Sequence, residues 1–262
     1  MSLLIAFVFG IIVGSFLNVC ILRLPKNESI VSPGSHCPAC SHAIGWQDNI
    51  PILSYLFLKG RCRHCKAVIS WQYLFVEFLT GILFVVFTAF FKPDPFAGAI
   101  YLGFSLLLLV LSAVDFRHRV ILSEIAMPGI LLGVLASAFL PRLQHEAWFF
   151  GGLLASVHGA IVGAGALYLI AVFGETFFKK EAMGGGDLNL LAMIGAFLGW
   201  KAVLWTIFVS SFLGVLGHGH LLFRKTEDKT LPYGPYLSLA AFLYIFIGDA
   251  SIQWYLSRFR FY

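Results

Sequence analysis

Charge is what this 262-residue sequence has least of: Asp, Glu, Lys and Arg make up 12% of it, against 59% hydrophobic residues. A soluble domain typically carries about a quarter charged residues, so a water-soluble globular fold is excluded. No repeat, low-complexity tract or internal symmetry is evident, which argues against a carrier built from related halves. No Lys or Arg precedes the first apolar run, "LLIAFVFGIIVGSFLNVCIL", whereas Arg23 and Lys26 follow it. A cleavable signal peptide has the opposite flanks, so the run reads as a retained helix.

What is present is a succession of apolar runs, near 3–22, 73–91, 96–114, 120–140, 148–173, 188–200, 202–223 and 231–254. Roughly 20 apolar residues span a bilayer; the run at 188–200 is shorter and reads as re-entrant or tilted in. The expected fold is an all-α polytopic membrane protein of about eight transmembrane segments. A first helix occupies 1–24, a small polar cytoplasmic loop domain 25–72, and a transmembrane domain 73–262. By the positive-inside rule the first helix starts outside and ends in the cytoplasm. Threading eight spans from there puts 13 of the 18 basic residues inside, among them Lys179, Lys180, Arg224, Lys225 and Lys229. Making 188–200 re-entrant leaves that total unchanged. The net charge of +5 therefore needs a lipid bilayer as partner and no nucleic acid.

The loop domain carries Cys37, Cys40, Cys62 and Cys65 in two C-x-x-C knuckles. Two such knuckles bring four thiolates into a tetrahedron, close to the spacing of structural Zn2+ sites. A rubredoxin-like iron site and free thiols are the alternatives, and the reducing cytoplasm disfavours disulfides. His36, His42 and His64 stand beside the knuckles, but four cysteines already complete the shell. Cys20, in the first span, reads as a small packing residue.

Five carboxylates lie at or within apolar runs: Glu77, Asp115, Glu124, Asp187 and Asp249. An ionisable group at membrane depth calls for a partner and a function. Asp249, near an outer end, can simply reach water. Glu77 is about one turn into the second span and is expected to meet a cation or a polar partner from the loop domain. Two spans separate Asp115, in "LSAVDFRHRVIL", from Asp187, in "MGGGDLNLL", so both sit on one side of the membrane. Two carboxylates at one depth that approach closely do not both ionise; they share a proton, one acting as base toward water and the other as acid toward a carbonyl. Gly184, Gly185 and Gly186 remove side chains from the path of a substrate backbone toward Asp187. The plainer alternative makes Asp187 a helix N-cap and pairs Asp115 with Arg117 or Arg119.

With these motifs the chain resembles the type IV prepilin peptidase family, membrane aspartic proteases of type IV pilus and type II secretion systems. "GIIVGSFLNVCILRLP", the tetracysteine loop, "ISWQYLFVEFLTG", "VDFRHRVIL", "MGGGDLNLLAMIGAFLGW" and "LPYGPYLSLAA" carry the likeness over nearly the whole chain. The resemblance implies cleavage of a basic leader from prepilins or pseudopilins at the cytoplasmic face of the bacterial inner membrane, after a glycine and commonly ahead of a phenylalanine. Asp115 and Asp187 match the family's two catalytic aspartates. It also implies N-methylation of the new terminus with S-adenosylmethionine, associated with the cysteine loop, with Asp48, Asn49 and Glu77 as candidate contributors. No glycine-rich nucleotide fingerprint accompanies that second activity.

The chain departs from the family at Leu122 and Ser123, where a Pro-Asp or Pro-Asn pair is usual; Glu124 follows and can replace some of that polarity. An ion- or proton-coupled transporter using the intramembrane carboxylates is the alternative from another class.

Overall fold

The computed structural model describes residues 2–178, 184–222 and 232–259. The basic residues expected on the inner side at Lys179, Lys180, Arg224, Lys225 and Lys229 lie outside the described residues, as do the ends of the expected runs 202–223 and 231–254. The described elements are helical: α1 (Leu3–Arg23), α2 (Leu53–Phe57), α3 (Gln72–Phe90), α4 (Pro95–His118), α5 (Ser123–Phe139), α6 (Phe149–Phe178), α7 (Gly185–Leu222), α8 (Gly234–Leu243) and α9 (Asp249–Phe259). The chain divides into two compact units, Met1–Leu102 and Gly103–Tyr262.

Six described helical stretches are long and apolar enough to cross a bilayer, and α5 is a shorter apolar helix. The protein is a multi-pass membrane protein. The expected count of about eight is slightly more than these described stretches, and the expected segments 188–200 and 202–223 are two helices that meet at a kink within α7. Gly199, inside α7, has φ 80° and ψ 174°, a conformation that only glycine adopts readily. The half-helix before this break is about 21 Å long at 1.5 Å per residue, short of a full apolar core of about 30 Å. Breaking the ladder frees the carbonyl of Ala196. It accepts from Ser156 Oγ at 2.7 Å, Gln144 Nε2 at 3.0 Å and Ser137 Oγ at 3.2 Å.

In the first unit α1 packs on α3 through small residues. A Cβ at Gly10 would lie 2.8 Å from Gly81 Cα, and one at Gly14 would lie 2.7 Å from Glu77 Cα. With lipid rather than water outside, such close backbone contact is what holds helices together. The second unit repeats the device: Gly129 and Gly133 of α5 face Met193 and Phe197 of α7, while Gly159 and Gly163 of α6 face the backbone of Gly195 and Leu191. Helix α7 is central, with 72% of its apolar window buried against 22% for α6. Exposed Leu4, Phe139 and Phe208 give the outer surface an apolar, lipid-compatible character.

Candidate active site and metal centre

Asp115 is set by the end of α4. Arg119 takes φ 56° and its N–H donates to the Asp115 carbonyl at 2.8 Å, a left-handed stop that leads the chain away through Val120 and Ile121. The Asp115 side chain is buried, and its Oδ2 accepts the N–H of Gly234 at 2.9 Å. Gly234 opens α8 with Pro235 behind it, so this N–H is one of the donors that a helix start leaves free. A Cβ on Gly234 would lie 2.7 Å from Asp115 Oδ2. Glycine is thus required for the carboxylate to sit where it does.

Asp187 lies in the first turn of α7, and its N–H already donates to the Gly184 carbonyl at 3.2 Å. It is therefore inside the helix start rather than its N-cap, in the part of the macrodipole that favours an anion. Gly186 packs against Ile121, where a Cβ would come within 2.8 Å of the Ile121 Cβ. Ile121 Cδ1 in turn flanks Gly234. Gly186, next to Asp187, and Gly234, bonded to Asp115, thus pack on the same Ile121 and bring the two aspartates to one place. Around Gly184 and Gly185 no described atom lies within 4 Å of where a Cβ would be.

This cluster is braced on both sides. Asn189 Nδ2 donates to Ser123 Oγ at 3.0 Å, tying α7 to the start of α5. Ser123, one of the two departures from the family pattern, thereby carries a specific link, while Leu122 supplies no side-chain cap. The Tyr233 hydroxyl is 2.7 Å from Ser210 Oγ, anchoring the segment before α8 to the far half of α7.

The cysteines meet as well. All four sulfurs lie within 4.8 Å of one another, and Cys37 Sγ is 3.8 Å from Cys65 Sγ. A tetrahedron with 2.3 Å bonds has edges of about 3.8 Å, so the cluster is a possible metal site whose donors fit Zn2+. The knuckles are near copies. Cys37 N–H donates to His42 O at 2.9 Å and Cys62 N–H to Ala67 O at 2.9 Å. Ser41 and Lys66 each take a positive φ, and the bridges His36–Ala43 and Arg61–Val68 close each turn. Behind this lies a ten-residue correspondence at an offset of 25, "CPACSHAIGW" at 37–46 and "CRHCKAVISW" at 62–71, which corrects the expectation of no repeat. N–H groups of Ala39 and Cys40 pull the Cys37 thiol down to about 6. The Ala67 N–H favours the Cys65 thiolate, but burial and the neighbouring sulfurs push that thiol up to about 11.

Of the remaining candidates, Asp48 accepts Arg63 Nε at 2.7 Å and Nη2 at 2.6 Å; these bonds hold its carboxyl below the ordinary range. Asn49 is exposed on the same 3-10 turn. Glu77 is buried in α3 and accepts the Ile52 N–H at 2.7 Å. Glu124 lies in the first turn of α5. Asp249 is about half exposed, and it also accepts from Tyr244 Oη at 2.9 Å and lies 3.1 Å from His145 Nε2. Gly234 was not singled out among the candidates; its signals were Gly-Pro at the start of an apolar run and its place in the motif "LPYGPYLSLAA".

Comparison with known proteins matches the Bacterial Peptidase A24 N-terminal domain over residues 8–91 and the Type IV leader peptidase family over residues 102–218. The chain belongs to the Type IV leader peptidase family. It is 36% identical to a prepilin leader peptidase/N-methyltransferase of Aeromonas salmonicida (strain A449), over 97% of this chain and 93% of that one. It is 37% identical to one of Pseudomonas aeruginosa, over 94% and 91% respectively. A Myxococcus xanthus protein of the same name is 41% identical over 80% of this chain and 60% of its own length. No solved structure matches the chain. These relatives lend no support to the transporter alternative.

Proposed function

We propose that the protein cleaves the basic leader from type IV prepilins or pseudopilins at the cytoplasmic face of the bacterial inner membrane, and N-methylates the new terminus. The observation that carries the first half is the convergence of Asp115 and Asp187 at two helix starts, through Gly186, Ile121 and Gly234. A prepilin presents a basic segment in the cytoplasm and an apolar helix in the bilayer, so a dyad at the boundary reaches the junction between them.

The two carboxylates share one proton. The ionised member takes a proton from water as the oxygen attacks the scissile carbonyl, and the protonated member gives its proton to the carbonyl oxygen. Collapse of the tetrahedral intermediate breaks the C–N bond, with a carboxyl proton passing to the leaving nitrogen. Gly234 N–H holds Asp115 in place throughout.

Cys37, Cys40, Cys62 and Cys65 hold Zn2+, whose role is structural: it closes the tetracysteine unit. In the second reaction the freed amine attacks the methyl carbon of S-adenosylmethionine; the C–S bond breaks and the amine loses a proton. The test is purified protein with a prepilin and S-adenosylmethionine, the product being weighed by mass spectrometry. Loss of the leader and gain of one methyl are expected. An uncut precursor contradicts the first activity, and a cut but unmethylated product contradicts the second.

A further inference from the structure

Glu77 sits one turn inside α3, in the apolar stretch Gln72–Phe90, yet it is only 6% exposed. Its Oε2 does not meet another charge; it accepts a backbone N–H, that of Ile52, at 2.7 Å. Ile52 has φ 61° and ψ −53°, and Leu53 N–H donates to Pro51 O at 2.6 Å across it. This is a γ-turn of the strained kind, placed on a β-branched residue. Such a conformation persists only where the surroundings over-determine it. A hydrogen bond to a carboxylate is among the stronger ones available for that purpose.

The segment before the turn is held from its other end as well. Asp48 takes the fork of Arg63, which stands between Cys62 and Cys65. Ser54 Oγ donates to Gln47 O at 3.0 Å and Ser54 N–H to Ile50 O at 3.0 Å, closing the segment on itself. Residues 46–54 therefore run between two clamps, an ionic one on the second knuckle and a buried one on a membrane helix.

We propose that Glu77 is a positioning residue: its carboxylate latches the segment carrying Asp48 and Asn49 to α3, and so fixes the tetracysteine unit on the membrane helices for methyl transfer. The proposal rests on the methyl-transfer reading above. It assigns Glu77 to the turn rather than to the substrate, because the carboxyl is buried between α1 and α3 and is held by Ile52 N–H and the Ser15 side chain.

The test uses the full chain in nanodiscs, comparing wild type with Glu77→Gln and Glu77→Met. Gln keeps a carbonyl oxygen that accepts the Ile52 N–H; Met keeps the volume and removes the acceptor. Met should speed amide hydrogen exchange across residues 52–57 at least tenfold and lower kcat for methyl transfer at least tenfold. Leader cleavage should stay within about twofold in the same sample, which also reports that the protein is folded. Gln should restore exchange to within about threefold of wild type and recover most of the methyl transfer. Unchanged exchange in the Met variant overturns the latch. Loss of methyl transfer in the Gln variant with wild-type exchange also overturns it, because it places the carboxylate's charge on the substrate. Wild type without methyl transfer refutes the underlying reading alone, and the exchange comparison then decides the latch by itself.

Discussion

Replacing Gly234 by Ala puts a methyl group where the structure has room for none. The new Cβ would lie 2.7 Å from Asp115 Oδ2 and 3.2 Å from Ile121 Cδ1, whereas ordinary contact begins at 3.4 Å. The carboxylate must therefore retreat by roughly 0.7 Å, or the start of α8 must withdraw by as much. Either movement stretches the 2.9 Å bond from Gly234 N–H to Asp115, of a class worth about 1.5–3 kcal/mol. A misplacement of about 1 Å in a catalytic constellation can lower a rate about 10²-fold. The expected result is a fall of about 10- to 100-fold in kcat for leader cleavage, with KM changed no more than a few-fold. Single-turnover cleavage of a prepilin in detergent measures it. Gly103→Ala is the control, since a Cβ there meets nothing within 4 Å. A Gly234→Ala protein that cleaves within twofold of wild type would refute the reasoning that this glycine sets the position of Asp115.

Gly184→Ala tests whether substrate reaches Asp187 past this glycine: with no described atom within 4 Å of the new Cβ, the thermal midpoint should not move, while kcat/KM for cleavage falls about tenfold. Unchanged kcat/KM would show that substrate does not pass there. The Asp48–Arg63 pair makes a prediction about pH. Because the folded carboxyl is held below its ordinary value, the pair's contribution is present above about pH 3.9 and is lost as pH falls through the lower folded value. A carboxyl-carbon NMR titration of Asp48 should give a midpoint below about 3.9, returning to it in Arg63→Gln; no difference between the two proteins would sink the claim. For the four sulfurs, elemental analysis of the purified protein should find one Zn2+ per chain. Cys37→Ser or Cys62→Ser should lose most of the metal and lose methyl transfer more than cleavage; metal-free wild type would contradict the assignment.

The apolar runs were legible in the sequence because a bilayer demands about 20 residues without charge, and the structure keeps their order. The reading that puts Asp115 and Asp187 on one side rested on the two runs between them. What escaped had weaker signatures. Gly234 lies 119 residues from Asp115 and contributes only a backbone N–H, which no side-chain pattern announces. Glu77 does meet a polar partner from the loop domain, as expected, but as a backbone amide the particular residue, Ile52, was not legible. Gly199 looks like any glycine in an apolar run until its φ is known, although the short run 188–200 already stood apart from 202–223. The knuckle repeat was on the page, since Ile44 and Trp46 recur as Ile69 and Trp71, but only four of ten positions in each knuckle match by identity. The packing glycines at 10 and 14, 129 and 133, and 159 and 163 were equally visible, although their facing partners required the fold.

Leader cleavage by Asp115→Asn and Asp187→Asn proteins tests the central claim most directly. Each substitution keeps the shape of the side chain and removes its capacity to carry charge and exchange a proton. The account predicts that either one alone abolishes cleavage of a prepilin, while metal content and thermal midpoint stay at wild-type values. Full cleavage by either variant would contradict it.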